Sequence, residues 1–441
     1  MFVGITNTPR NYAWGSHTAI ASLLGMPPSG KPEAELWLGA HAGSPSRIVD
    51  PASVGGSADL ASWIATSPAA ALGSSFASDP LLADDATPRL PFLLKILAAG
   101  SPLSLQAHPT PDQARAGFEL ENEAGIPLDA ADRNYKDPFH KPELVYALSE
   151  NFEALCGFRS LSSVHALLDE LRALDATLGD PQPAPLDALA SRLAGTDPLR
   201  DTVDWLLRDG RGEDSGEVSW LVERVVALAA QAAFLADGGA EVEFRRELAT
   251  AQSLASVYPG DPGIVISLLL NRVSLRRGEV LYLPAGNIHA YLSGLGVELM
   301  AASDNVLRGG LTPKHIDVDE LLQVLNFEPV PVPYLAPAAA SVPGVSVYRP
   351  DVPDFELVHI EVAASAPHVS DGAAGAEVPM RQFTLSGPGI AICTAGGFLV
   401  AGGASSVSLK RGQAIYITPD EGTITFAGAG EVFLATTATS K

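Results

Sequence analysis

The spacing of apolar positions changes along the chain. From the N-terminus to about Asn151, short apolar runs such as Leu90 to Leu97 and Leu103 to Gln106 alternate with Pro- and Gly-rich breaks, a pattern of mostly strand and loop. Behind Ser160 the period lengthens to three and four. Leu161, Val164, Leu167, Leu168, Leu171, Leu174 and Leu178 fall on one helical face, with Ser160 as the cap. Further helical stretches follow at Leu186 to Leu193, Leu199 to Leu207 and Val218 to Leu235, separated by Pro181-Gln182-Pro183 and by residues 209–216. The pattern predicts a helical block inserted into a mainly β protein. After Tyr258-Pro259-Gly260-Asp261-Pro262-Gly263, β-branched runs return at Ile264 to Leu270 and Val280 to Leu283 and are expected to be strands. From roughly Val330 the chain is rich in Gly, Ala, Ser and Val, with brief runs at Ile390 to Thr394 and Phe398 to Val400, as in a sandwich or jelly roll.

An internal echo supports two β-barrel units of related design. Leu275-Arg276-Arg277-Gly278-Glu279-Val280-Leu281-Tyr282 resembles Leu409-Lys410-Arg411-Gly412-Gln413-Ala414-Ile415-Tyr416. The first copy continues through Pro284, Gly286 and His289, whereas the second runs through Pro419-Asp420-Glu421-Gly422 without a histidine. The chemistry is therefore expected in the first barrel and a structural role in the second. The expected division is a catalytic unit over 1–151 and 257–330, a helical insert over 152–256, and a C-terminal unit over 331–441 without a metal site.

Composition narrows the function classes. With 28 Lys+Arg against 51 Asp+Glu, the 441-residue chain carries a formal charge of −23, so it lacks the basic footprint that nucleic acid requires. At 46% hydrophobic residues it can bury a sizeable core. No basic segment followed by an apolar run opens the sequence, and the apolar stretch Val225 to Ala236 is interrupted by Gln231, so neither a secretory signal nor a membrane partner is expected. Cys156 and Cys393 are too few for a disulfide framework or a cysteine metal site, which fits a reducing cytoplasm. Any metal must then use His, carboxylate or amide ligands.

Four stretches carry such groups. The spacing of Gly278, Pro284, Gly286 and His289 matches most of the second cupin motif, in which a strand and a Pro/Gly turn project a histidine into a barrel mouth; Ser293 stands where that motif often has Asn. In Gln106-Ala107-His108-Pro109, strand alternation puts Gln106 and His108 on one face. In Asn134 to Glu143, Pro138 and Pro142 suppress helix and set Glu143 at the start of the apolar strand Leu144 to Leu148. Together Gln106, His108, Glu143 and His289 offer two imidazoles and two oxygen donors, a set that suits zinc, with manganese and iron(II) also compatible by ligand type. The fourth stretch, Val297 to Lys314, clusters polar residues after His289. In it Arg308 stands beside two glycines, where it can approach an oxyanion, and Lys314 suits a phosphate. His165, His359 and His368 show no partner pattern.

Taken in order, these motifs resemble one family, type I mannose-6-phosphate isomerase, a zinc-dependent cupin enzyme. The likeness runs through Asn11-Tyr12-Ala13-Trp14-Gly15, Ala34-Glu35-Leu36-Trp37-Leu38-Gly39 with His41, Leu103 to Pro109, His140-Lys141-Pro142-Glu143, Tyr258-Pro259-Gly260-Asp261, Pro284 to Tyr291 and Ser303 to Lys314. The resemblance implies two cupin-like jelly-roll units with an inserted α-helical domain, and one zinc ion on Gln106, His108, Glu143 and His289. It implies reversible interconversion of mannose 6-phosphate and fructose 6-phosphate, which takes mannose into glycolysis or supplies activated mannose for glycans. A proton must then move between C2 and C1 through a cis-enediol. Arg308 falls on the family's active-site arginine and is expected to stabilise the developing oxyanion. Glu298 is expected as the base, with Lys141 as the other candidate, and Asp304 as a group that assists ring opening. Lys314, Arg308 and the Ser104 hydroxyl are expected to hold the phosphate. Phe139 departs from relatives that often carry a polar residue there.

Two other classes compete with the isomerase. A metal-dependent cupin dioxygenase also uses His and Glu, but Gln106 in place of a further histidine, with Arg308 and Lys141 close by in the family pattern, argues against it. A phosphosugar-binding module without turnover would need the pocket but not the full set of ligands plus the arginine.

Overall fold

The computed structural model describes residues 1–74, 83–84, 87–211, 216–339, 343–363 and 379–438. Two nine-stranded antiparallel sheets dominate these residues. The first is organised by the long strand His289–Ala301. Its C-terminal part pairs with Phe92–Ala99 on one edge and Glu143–Ala147 on the other, while its N-terminal part pairs with Phe152–Phe158 and sets His289 opposite Gln106. The strand changes partners at Ser293-Gly294. Gly294 has φ +129°, and a Cβ there would lie 2.9 Å from the Phe152 Cα, so only glycine lets the two backbones approach this closely.

Strand alternation sorts the side chains of this barrel. Leu94, Ile96, Ala98, Leu144, Tyr146, Val297 and Leu299 face outward into a core shared with Ile390, Ile392, Tyr416 and Phe433 of the second sheet. Leu97, Ala99, Val145 and Ala147 face inward and pack with Phe152, Leu281, Leu283 and Tyr291. The same period turns Lys95, Glu143 and Glu298 inward. Each fully buried aliphatic side chain contributes roughly 1.5–3 kcal/mol, so the apolar outer face, not the charged inner one, holds the two barrels together.

The helical stretches are helices Leu161–Ala176, Ala184–Leu193, Pro198–Asp209, Gly216–Asp237 and Arg245–Val257. Ser160 caps the first by accepting the Ser163 N–H. Gly216–Asp237 is apolar and long enough to cross a membrane by composition, yet Leu221, Val222, Val225 and Leu228 are buried in the helical core. That core is continuous with Leu105, Ala107, Ile288 and Leu307 on the outside of the first barrel, so the insert is seated against the strands that carry the candidate ligands.

Four features differ from the expected pattern. The stretch up to Asn151, expected as mostly strand and loop, also carries helix Pro111–Glu123. Ile264 to Leu268 is helical, within Gly263–Leu268, and the strand begins only at Leu270–Leu275. All six residues of that helix are buried, so the run is apolar on every face and carries no period, and packing overrides the β-branched preference. Phe152–Phe158 is a barrel strand, so the helices start after it, at Leu161, rather than at 152. Phe2–Thr6 pairs with Ala414–Ile417 and so joins the C-terminal sheet; a short strand does not encode which distant edge it will meet. The two echoed segments form matching turns, with Gly278 at φ +93° and Gly412 at φ +82°. His368 lies outside the described residues.

Candidate metal centre and active site

The strand Leu105–Ala107 turns Leu105 and Ala107 toward the helical core, leaving Gln106 and the following His108 on the opposite, inner face. Glu143 opens its strand pointing inward, and His289 opens the long strand beside it. His108 Nε2 lies 3.3 Å from one oxygen of Glu143, and His289 Nε2 lies 3.4 Å from the other. The Gln106 amide is 3.4 Å from His289 Nε2, and a half-turn of that amide brings its oxygen to the same place. One ligand atom each from His108, Glu143 and His289 falls within 4.8 Å of the others, and all three residues are buried.

The surroundings prepare these atoms for a cation. His108 Nδ1 donates to the Asn305 carbonyl at 2.8 Å, and His289 Nδ1 donates to the Asn287 carbonyl at 3.0 Å. Both rings therefore present an unprotonated Nε2 to the centre, the arrangement that outer contacts impose on metal-bound histidine. His108 Nε2 and Glu143 Oε2 are fully buried without a hydrogen-bond partner, a costly state unless a further group completes them. Burial lowers the His108 pKa to about 4 despite the opposing pull of Glu143. Burial by itself would raise Glu143, but His108 and Lys141 outweigh it and hold that carboxyl well below the usual carboxylate range. A neutral imidazole at His108 and a carboxylate at Glu143 are protonation states that a divalent cation needs. Asn305 also fastens the approach to Glu143, since its side-chain oxygen accepts the Lys136 N–H at 2.7 Å and its amide donates to the Phe139 carbonyl at 2.8 Å.

Of the other expected residues, Lys141 reaches this centre. Lys141 Nζ is 3.3 Å from Glu143 Oε1 and is largely buried. Arg308 is the cross-strand partner of Gln106, which puts the two side chains on one face; it is half-buried and makes no ion pair or hydrogen bond among the described residues. Burial lowers its proton affinity, and both burial and the Arg308 charge lower that of Lys314, which is exposed. Ser104 precedes Gln106 by two positions and is half-buried. Asp304 lies further out, 3.3 Å from His41 Nε2. Phe139 does not offer a polar group, and its ring is covered by the Arg89 guanidinium, 3.3 Å from the centroid.

A buried ionic network escaped the reading of the sequence. Lys95 Nζ lies 2.9 Å from Glu298 Oε2 and 3.5 Å from Glu35 Oε1, and Glu35 in turn accepts the Trp37 indole N–H at 2.9 Å. Burial acts to lower the Lys95 pKa, but Glu298, Glu35 and Glu143 outweigh it and keep the ammonium charged. Burial raises Glu298 above the usual carboxylate range, with Lys95 opposing. The signal available was a single lysine inside the otherwise apolar run Leu90 to Leu97. His41, paired with Asp304, and the fully buried Tyr291 hydroxyl beside Glu298 complete the additions.

Among the described residues the second barrel repeats no such metal group. Its His359 donates from Nε2 to Glu431 at 3.1 Å and faces the Tyr146 hydroxyl at 3.3 Å, an interior polar contact between the barrels.

Comparison with known proteins gives a consistent result. The family described as phosphomannose isomerase type I, catalytic domain, matches residues 2–161. A protein named mannose-6-phosphate isomerase from Escherichia coli (strain K12) is 35% identical over 431 residues, covering 97% of each chain. The human protein of that name is 31% identical over 428 residues, covering 91% of this chain and 93% of its own. Among solved structures, mannose 6-phosphate isomerase in a zinc-bound holo form superimposes with a TM-score of 0.80 at 32% identity over 99% of this chain and 100% of that one. The apo form from Salmonella typhimurium gives a TM-score of 0.79 at 32% identity, over 99% of each chain.

Proposed function

The chain belongs to the type I phosphomannose isomerase family, and from that membership we propose that it interconverts D-mannose 6-phosphate and D-fructose 6-phosphate with one zinc ion held by Gln106, His108, Glu143 and His289. The observation that carries this reading is the pair of buried, partnerless atoms, His108 Nε2 and Glu143 Oε2, facing one point that His289 and Gln106 also reach. When bound, zinc acts as a Lewis acid toward the sugar oxygens.

The chain's own residues supply the rest. The phosphate dianion enters a protein of charge −23, so it needs local cations; Lys314 and Arg308 provide them, with the Ser104 hydroxyl as a neutral donor. Asp304, paired with His41, assists opening of the sugar ring by exchanging a proton with the ring or anomeric oxygen. Glu298 moves the proton between C2 and C1. Burial raises its proton affinity and the Lys95 ammonium opposes that rise, so the carboxyl is placed to take the proton and return it. Lys141 is the other candidate for that transfer and sits against Glu143. Arg308, free of any protein carboxylate, meets the negative charge that develops on oxygen in the cis-enediol, a contribution typically of several kcal/mol.

The substrate is a small phosphosugar, and the two buried, unpaired cysteines fit a reducing cytoplasm. The test is a coupled assay for fructose 6-phosphate formed from mannose 6-phosphate, with and without chelator. Turnover that disappears on chelation and returns with zinc supports the reading, and absence of turnover in zinc-loaded protein refutes it.

A further inference from the structure

The segment Tyr258-Pro259-Gly260-Asp261 takes no part in the chemistry above, yet Asp261 has an unusual set of partners. It follows the helical insert, in the turn between helices Arg245–Val257 and Gly263–Leu268. Its Oδ1 accepts the backbone N–H of Gly263 at 2.7 Å and of Leu311 at 2.9 Å. Its Oδ2 accepts the Thr312 N–H at 3.3 Å and one Arg211 amino group at 3.2 Å. The other Arg211 amino group donates to the carbonyls of Thr312 at 2.9 Å and Lys314 at 3.5 Å. A guanidinium from the insert and a carboxylate from the turn that follows it thus grip the backbone of residues 311–314 from both its donors and its acceptors.

The gripped segment is under strain. Leu311 has φ +54°, the left-handed region that leucine rarely adopts, and among the described residues it is the non-glycine residue found there. Its side chain is fully buried in the helical core. Gly310, at φ +128°, packs so closely that a Cβ would stand 2.9 Å from the Gly263 Cα. Such a turn persists only where its surroundings over-determine it, and here they are the Asp261 carboxylate and the seat of Gly310 on Gly263. The turn joins Arg308 to Lys314, so its shape sets the distance and direction between two cations.

We propose that Asp261 and Arg211 form a clamp that positions Lys314, relative to an Arg308 held by its own strand opposite Gln106, to receive the phosphate of the sugar. This rests on the reading of Lys314 as a phosphate contact. Asp261 is a positioning residue, since Arg211 and the backbone N–H groups occupy its oxygens and leave no free negative charge toward an arriving phosphate.

The experiment compares Asp261→Ala, Asp261→Asn, Arg211→Ala and Lys314→Ala in zinc-loaded enzyme, reading KM for mannose 6-phosphate, kcat, competitive inhibition by inorganic phosphate, and bound zinc. Asp261→Ala is expected to raise KM and the phosphate inhibition constant together by about tenfold, with kcat within about twofold and zinc retained. Asp261→Asn, which keeps one accepting oxygen, should fall between it and the parent. The double variant with Arg211→Ala should be no worse than Asp261→Ala, because the two act as one unit. Arg211→Ala alone removes contacts from a partly exposed site and keeps the test intact should Asp261→Ala fail to fold. If Lys314→Ala weakens phosphate inhibition while folded Asp261 and Arg211 variants do not, the clamp is overturned. If Lys314→Ala leaves both constants unchanged, the phosphate reading itself fails, and with it the purpose assigned to the clamp.

Discussion

Lys95 and Glu298 stand directly opposite one another in the antiparallel pair Phe92–Ala99 and His289–Ala301, and their charged groups meet at 2.9 Å inside the barrel. Both are buried, so neither can shed its charge into water at low cost. Glu298 is already pushed up by burial and by Glu143 and Glu35, and Lys95 opposes that push. Replacing Lys95 with Met removes the opposition, so Glu298 retains its proton to higher pH. The acid limb of the kcat/KM profile should move upward by about one pH unit or more, with kcat down by roughly 10²-fold at neutral pH and zinc retained. A profile that keeps its acid limb in place would show that Glu298 is not the group being titrated.

The metal ligands and the arginine should separate cleanly by variant. His289→Ala deletes a donor of the His108, Glu143 and His289 group, so bound zinc and activity are expected to fall together. Arg308→Ala leaves that group intact and removes only a cation without a protein partner, so zinc stays and kcat drops by about 10²–10³-fold. Metal analysis beside steady-state kinetics reads both. Unchanged turnover in Arg308→Ala would remove the arginine from the chemistry.

Much of this centre was legible because the residues that carry it interrupt a simple pattern. Gln106 and His108 alternate with apolar Leu105 and Ala107, and two prolines frame Glu143, so period and turn chemistry point to an inner face. The convergence of distant segments was legible only through the family resemblance, since no local pattern states that His289 will sit opposite Gln106. Lys95 was hidden for the converse reason. Phe92–Ala99 is buried on both faces, so its sequence reads as one apolar run and the face of its single charge is not marked. The helix Gly263–Leu268 is hidden by the same physics, whereas the pairing of Phe2–Thr6 with Ala414–Ile417 depends on a distant sheet edge that no local pattern marks. Helix Pro111–Glu123 is marked in the sequence by a capping box between Thr110 and Gln113, with Pro111 at its first position.

Acid should destabilise the metal-free enzyme through His108. Its pKa is lowered from 6.5 to about 4 in the folded protein, so between those values the unfolded chain binds a proton that the native state refuses. Stability therefore rises with pH across this window and is lost as pH falls through it. From pH 6.5 down to 5 the loss is about 2 kcal/mol. The depressed Glu143 adds a second loss below its ordinary value of 4.5, of the same sign. Urea unfolding of chelator-treated protein at pH 7.5 and pH 5 measures the difference, and a His108→Asn variant should show a flatter dependence. Equal stability at the two pH values in the parent would contradict the burial of a neutral His108.

The second barrel is expected to matter for stability and not for turnover, and Glu431 is the residue that tests it. Its buried carboxylate accepts from Thr394 at 2.6 Å, from His359 at 3.1 Å and from Arg277 at 2.8 Å, the last reaching across from the first barrel. Burial acts to raise its pKa, but the hydrogen bonds from His359 and Thr394 and the Arg277 charge hold it below the usual carboxylate range. Glu431→Leu deletes the acceptor, strands the buried His359 Nε2–H and leaves the Thr394 hydroxyl only its long 3.4 Å contact to the backbone carbonyl of residue 431. The expected cost is about 2–3 kcal/mol, seen as a melting temperature lowered by several degrees. Among the described residues the network meets the strand Glu143–Ala147 through Tyr146, on the face opposite Glu143, so kcat/KM and bound zinc should stay within about twofold of the parent. Should Glu431→Leu instead lose zinc while its melting temperature holds, the second barrel would be part of the catalytic apparatus and not its support.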